Sequence, residues 1–266
     1  DRALYSPQRS PRPPAIQIPA DLPGKYTALF APRAPSAEHP ASRFPQGHGF
    51  ARIFVNSGGV ARITGRLADG SSLSYSNSLS KTKALPLWHR SQAAKSTLAG
   101  MVQFREVPGT SDLDGTGLQW FREANPRAVR YREGWPAGIR LDLVGSTYRV
   151  ERGRSVLSGS APGVFASEAE LEVTGTDFAS ISRLVISDTD QVKLAIPSPE
   201  APRLVITRGT GLFRGSFRHP ESGRRIGMQG AILQSQQLGA GYFLAPEESG
   251  AVTITSGLPQ PEQPPD

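Results

Sequence analysis

An all-β fold is predicted: an antiparallel meander of short strands forming one or two small β-barrels, or a barrel-like sandwich, in two related halves. Three observations predict it. Gly and Pro number 28 and 24 in 266 residues, as expected where many strands are joined by turns. Apolar residues recur with a period of two over short segments bounded by turn signals. No segment shows the spacing of a long amphipathic helix.

The elements follow in order. Residues 1–22 hold Pro7, Pro11, Pro13, Pro14 and Pro19; proline fixes φ and removes a ladder donor, so an extended arm is expected. The first β half is placed at 23–148. Gly24 to Phe30 reads as a strand, and Phe50 to Val55 as the next after a loop rich in Pro, Ala and Ser. Val60 to Leu67 alternates cleanly, with Ala61, Ile63, Gly65 and Leu67 on one face and Arg62, Thr64 and Arg66 on the other, the signature of a half-buried antiparallel strand. Asp69-Gly70 is a hairpin signal. Strands are expected at Ser72–Leu79, Ala84–Trp88, Thr97–Val107, Leu118–Phe121 and Ile139–Val144, with an Arg- and Trp-bearing loop over 108–138.

A connector is placed at 149–167, where Gly153, Gly159, Pro162 and Gly163 interrupt the pattern. The second β half, 168–256, contains strands near Ala169–Thr174, Ile181–Ile186, Gln191–Ile196, Arg203–Thr207, Gly211–Arg218, Arg225–Gln234, Gly241–Ala245 and Gly250–Thr255. A Pro-rich tail, 257–266, mirrors the N-terminal arm.

The halves share a plan. Ile53 to Trp88 aligns with Leu204 to Leu244: Ile63-Thr64-Gly65-Arg66-Leu67 answers Phe213-Arg214-Gly215-Ser216-Phe217, each followed by a polar turn and a longer strand. An internal structural repeat is expected. Gly65, Gly100, Gly215, Gly230 and Gly241 fall inside strands. A strand glycine marks a sharp bend or a close backbone approach, and barrels use such kinks to turn corners.

The run Gly209-Thr210-Gly211-Leu212-Phe213-Arg214-Gly215-Ser216-Phe217, with Gly230-Ala231-Ile232-Leu233-Gln234 and Gly239-Ala240-Gly241-Tyr242-Phe243-Leu244, resembles a glycine-rich β-repeat in large exported or surface proteins of planctomycete-type bacteria. Gln46-Gly47-His48-Gly49-Phe50 and Val107-Pro108-Gly109-Thr110-Ser111-Asp112-Leu113-Asp114-Gly115 are similar to the same family. The resemblance implies export and a barrel-like β domain, and it transfers no catalytic residue. The proline-rich arms depart from the family's pattern.

Composition narrows the function classes. There is no Cys, so a disulfide framework, a thiolate metal site and a Cys nucleophile are excluded. No apolar run approaches the length of a membrane helix. The start at Asp1-Arg2-Ala3 fits an exported chain whose signal peptide has been removed. The formal charge is +7, and Lys occurs only at Lys25, Lys81, Lys83, Lys95 and Lys193, so arginine supplies 25 of the 30 basic residues. The arginines sit singly along strands, which disfavours nucleic acid as a partner.

Candidate chemistry is sparse. His39, His48, His89 and His219 have no metal-pair spacing. Asp112 and Asp114 begin like a calcium loop but lack the further oxygen ligands, so an Asp-Gly turn is the favoured reading and calcium the alternative. Ser216 lies mid-strand rather than at a nucleophile elbow. Glu168 and Glu170 sit on an outward face. No catalytic residue and no cofactor are expected. Trp88 and Trp120 are expected in the core. Trp135, in a Gly-Trp-Pro loop, is expected to be exposed. With Tyr131, Arg122, Arg127, Arg130 and Arg132 it forms the candidate partner-binding set, since Trp and Arg are favoured anchors. The expected function is a non-enzymatic exported structural or interaction protein. It would serve a cell-surface or extracellular assembly and meet protein partners there. A carbohydrate-binding module using aromatics of 108–138 is the alternative.

Overall fold

The computed structural model describes residues 19, 22–33, 40, 43–157, 167–246 and 249–256. Nearly all of the arm at 1–22, the tail 257–266, the middle of the connector and His39 lie outside the described residues. The described residues form strands and no helix.

The first eight strands are β1 (Gly24–Pro32), β2 (Gly49–Val55), β3 (Val60–Arg66), β4 (Ser72–Ser78), β5 (Ala84–Ser91), β6 (Ser96–Val107), β7 (Ser111–Arg122) and β8 (Trp135–Thr147). The next are β9 (Ser167–Thr174), β10 (Ala179–Ile186), β11 (Val192–Leu194) and β12 (Arg203–Thr207). The last are β13 (Leu212–Arg218), β14 (Arg225–Leu233), β15 (Leu238–Leu244) and β16 (Ser249–Ser256). They make two 8-stranded antiparallel sheets, β1–β8 and β9–β16. In each, the first and last strands pair, β1 with β8 and β9 with β16, so each sheet curls into a nearly closed barrel.

Each barrel keeps one seam without ladder bonds, between β4 and β5 and between β11 and β12. Open edges expose unpaired backbone groups, and between β4 and β5 side chains span the gap. Tyr75 Oη donates to the Pro86 carbonyl at 2.7 Å, Asn77 Nδ2 reaches the same oxygen at 3.5 Å, and His89 Nε2 lies 3.2 Å from the Ser72 carbonyl. Proline suits that edge because it has no N–H to leave unpaired.

The period of two sorts the faces as expected. Ile53, Ile63, Leu73, Leu85, Leu87, Phe104 and Trp120 fill the first barrel. Leu171, Ile186, Phe213, Phe217, Phe243, Val252 and Ile254 fill the second, together with Tyr148, Val156 and Leu157 from the segment that leaves β8. The strand glycines sit where backbones converge. A Cβ on Gly65, Gly215, Gly230 or Gly241 would lie 2.0, 2.2, 2.2 or 1.9 Å from a carbonyl oxygen of the neighbouring strand. Gly100 would instead meet the Leu118 side chain.

The two halves share one eight-stranded antiparallel plan, as expected. Two expectations change. Asp112 to Gly115 is not a turn but the start of β7, paired with β6 and β8. Trp135 is not in a loop but opens β8.

The barrels meet on a second apolar layer formed by residues that point outward from each sheet. Leu29 and Phe50 of the first barrel, with Ala68 just past β3, pack against Ala231, Leu233, Ala240 and Tyr242 of the second. Thr27 Oγ1 donates to the Ile232 carbonyl at 2.5 Å, and Tyr148 Oη to the Arg208 carbonyl at 2.5 Å.

Candidate functional site

The predicted site residues fall between β7 and β8, and the local backbone explains how they converge. Asn125 N–H donates to the Arg132 carbonyl at 2.7 Å, and the Asn125 side chain caps Arg127 N–H at 3.2 Å, a common Asx arrangement. Tyr131 and Gly134 adopt φ of 56° and 61°. At Gly134 the turn crosses the Arg122 carbonyl so closely that a Cβ would lie 2.4 Å from it. The chain therefore folds back, and Tyr131 and Trp135 lie against the end of β7.

The result is a buried cluster. Arg122 Nη1 and Asp69 Oδ2 are 2.7 Å apart, with side chains 10% and 1% exposed. The Arg122 guanidinium lies 5.4 Å from the Trp135 ring centre and 5.6 Å from that of Tyr131, within cation–π range. Trp135 meets Trp120 edge-on at 4.7 Å. Trp135 is 2% exposed, so its expected exposure is corrected. Tyr131 is also buried. The Tyr131 hydroxyl bonds to the Ser249 hydroxyl, and Arg130 Nη1 donates to the Ala245 carbonyl at 2.6 Å. Both acceptors belong to the second barrel, so these two residues clamp one barrel to the other. Burial pushes the Tyr131 hydroxyl up to about 12, against the Ser249 hydrogen bond.

Arg127 and Arg132 remain exposed; Arg132 Nε donates to the Ala128 carbonyl at 3.1 Å and so braces its own loop. Asp112 accepts from Thr147 N–H at 2.6 Å and from the Ser235 hydroxyl at 2.9 Å, which makes it another tie between barrels. Asp114 pairs with Arg105 at 2.8 Å. Among the described residues, no group of three or more His, Cys, Asp or Glu gathers as metal ligands.

The exposed aromatic surface lies elsewhere. Trp88, expected in the core, is 59% exposed on β5. Its inward neighbours Leu85 and Leu87 are buried, so the same alternation that fills the barrel turns Pro86, Trp88 and Arg90 outward. Trp88 stands opposite Ala99, and Pro86 opposite Met101. Thr97, next on that face of β6, stands opposite Phe121. Met101 is 52% exposed and Phe121 37%. The period of two was the signal that could have placed Trp88 outside.

A polar cleft of about 490 Å³ opens beside the junction of the barrels, lined by Glu106, Asp112, Arg149, Glu151, Arg154 and Gln234 among others. Its charges are mixed: Arg154 bonds to Glu151 at 2.9 Å, and Gln234 holds both backbone groups of Arg149.

No family model matches the chain. No curated protein matches it. Among solved structures it is similar to a mutant of the vaccine antigen transferrin binding protein B from Haemophilus parasuis, with 8% identity and a TM-score of 0.26. That match covers 80% of this chain and 55% of the other, so this chain spans little more than half the length of that protein.

Proposed function

We propose that the chain is a non-enzymatic, exported interaction protein, a component of a cell-surface or extracellular assembly. It meets a protein partner through the outer face of β5–β7. The observation that supports this reading is the row of Pro86, Trp88, Met101 and Phe121, apolar side chains on a strand face turned away from both barrel cores. Exposed apolar groups that lie together mark interaction surfaces far more often than single ones do. Trp is among the favoured anchors of such surfaces. Arg90 and Arg140 are exposed on adjoining outward positions, so the fitting partner is apolar at its centre and acidic at its rim. The non-enzymatic part of the reading draws support from how the buried charges are used: Asp69 with Arg122 and Asp190 with Arg208 hold structure together.

The test replaces Trp88 with a photo-crosslinking residue and irradiates intact producing cells. A discrete adduct with one other protein is expected. It should be absent when the crosslinker stands at Ser76, lost on Met101→Glu, and digested by protease added outside the cells. Identical adducts from both positions, or none from Trp88, overturn the reading. Protease resistance overturns the export part alone. A carbohydrate platform is the second reading, favoured by the exposure of Trp88; it requires a polysaccharide on a glycan array whose binding disappears in Trp88→Ala.

A further inference from the structure

We propose that the outer face shared by β2–β4 and β13–β15 binds an extended acidic segment of a protein partner. This face lies on other strands than the Trp88 row and stands independently of it.

The first ground is charge segregation. Strands β2–β4 and β13–β15 contain Arg52, Arg62, Arg66, Arg214, Arg218 and Arg225 and no Asp or Glu. All six arginines are exposed and point outward by the strand alternation. By contrast, β9 turns Glu168, Glu170 and Glu172 to its outer face, and β7 and β8 carry Asp112, Asp114 and Asp142.

The second ground is that, among the described residues, these arginines have no ion-pair partner. None of the ion pairs among the described residues includes them. Arg66 bonds to the Gly70 carbonyl at 3.0 Å. Arg225 reaches the Ser216 hydroxyl at 3.0 Å and the Ser216 and Ala201 carbonyls at longer range. Arg218 and Arg225 stand directly opposite each other across β13 and β14, and like charges so placed are destabilising. Arg52 stands opposite Thr64, which makes Arg62 and Arg66 its diagonal neighbours, about 7–8 Å away. A bound anion relieves both repulsions. Glu200 and Glu221, in the adjoining turns, make no ion pair with any of these arginines among the described residues.

The third ground is continuity across the two barrels. Phe50, opposite Arg66, packs 6.1 Å from Tyr242. Gln229 Nε2 donates to the Tyr242 hydroxyl at 2.6 Å, and Arg214 stands opposite Gln229. Arg66 and Arg214 therefore flank one polar floor, Gln229 with Tyr242, at the junction. A segment lying across it engages both barrels.

The choice of a polypeptide rests on what lies among the arginines. Phe54 is 49% exposed and stands opposite Arg62; Val205 is 55% exposed and stands opposite Arg214. A partner that brings carboxylates and apolar side chains together satisfies both. Carboxylates on alternate residues of an extended chain repeat about every 6.8 Å, close to the diagonal spacing of the arginines, and guanidinium groups bind carboxylates bidentately.

The experiment measures fluorescence anisotropy of a labelled peptide of repeating Glu-Val-Glu-Ser against the full chain at low and high salt. Heparin and oligothymidylate serve as competitors. Saturable binding weakened by salt is expected, falling about tenfold in the Arg52→Ser/Arg66→Ser/Arg214→Ser variant, about twofold for each exposed ion pair lost. The matching Arg→Lys variant should retain most binding. Phe54→Ser should weaken the Glu-Val-Glu-Ser peptide but not a Glu-Ser-Glu-Ser peptide. Circular dichroism confirms that each variant is folded. No binding, unchanged binding in the Ser variant, or stronger binding of heparin or oligothymidylate than of the peptide overturns the proposal.

Discussion

Asp69 and Arg122, 53 positions apart, form a 2.7 Å ion pair nearly closed off from water. Asp69 stands in the turn after β3, where its Oδ1 also caps Ser71 N–H at 2.9 Å. Arg122 ends β7, under Tyr131 and Trp135. One carboxylate thus fixes a hairpin turn, a strand end and an aromatic cluster. Removing either partner leaves a buried charge alone, so Asp69→Asn and Arg122→Met should each cost about 3–5 kcal/mol in denaturant unfolding, with the double variant less destabilised than their sum. Additive losses would show that the two do not act as a pair.

Trp135 and Trp88 should respond oppositely to truncation. Trp135→Ala empties a buried site against Trp120 and should cost about 3–5 kcal/mol. Trp88→Ala removes an exposed ring and should change stability by less than about 0.5 kcal/mol. Thermal melts of the two variants decide this. A large loss at Trp88 would mean that its ring supports the seam.

Gly241→Ala should be among the most disruptive small changes in the second barrel. The new Cβ would lie 1.9 Å from the Gln229 carbonyl oxygen and 2.6 Å from the Gly230 Cα. The facing β14 backbone has to move, at a cost of about 1–3 kcal/mol or more. Gly24→Ala, where nothing lies within 4 Å, is the neutral control, and midpoints of chemical denaturation compare them.

Stability should fall at both ends of the pH range for different reasons. Burial holds His48 below its ordinary value of 6.5. The unfolded chain then binds the proton more readily, so stability is complete above about pH 6.5 and declines as pH falls below it. Tyr131 is raised to about 12 from 10.0. The unfolded chain loses that proton first, so stability is complete below pH 10 and declines between pH 10 and about 12. On a plot of unfolding free energy against pH, His48→Gln should flatten the decline below about pH 6.5, and Tyr131→Phe should reduce the alkaline decline without abolishing it, because burial also raises Tyr148 and Tyr242. Unchanged slopes would remove these groups from the account. Tyr131→Phe should also cost about 1 kcal/mol at neutral pH by cutting the link to Ser249.

Much of the fold was legible because it is local. Ala61, Ile63, Leu67, Leu73 and Leu79 point inward where the alternation put them. The Asp69-Gly70 turn forms as its residue types predict, with Gly70 at φ 87°. The candidate site was legible only in part. Tyr131, Trp135 and Arg122 do come together, but inside the molecule. Gly134 and Pro136 made Trp135 look like loop material. Gly134 in fact ends the turn, and the strand begins with the Trp itself. Trp88, expected in the core, stands beside the inward Leu87 and is therefore on the outer face.

By itself, the sequence determined the strands, their inward faces and the glycines that let them coil, because side-chain alternation and steric room act over a few residues. The tertiary structure alone decided which outward faces stay outside. Leu29, Phe50 and Tyr242 alternate like surface residues of their own barrels, yet the other barrel covers them. The Tyr131 hydroxyl meets Ser249 across 118 positions. Such contacts depend on where a second barrel sits, and no local period records that.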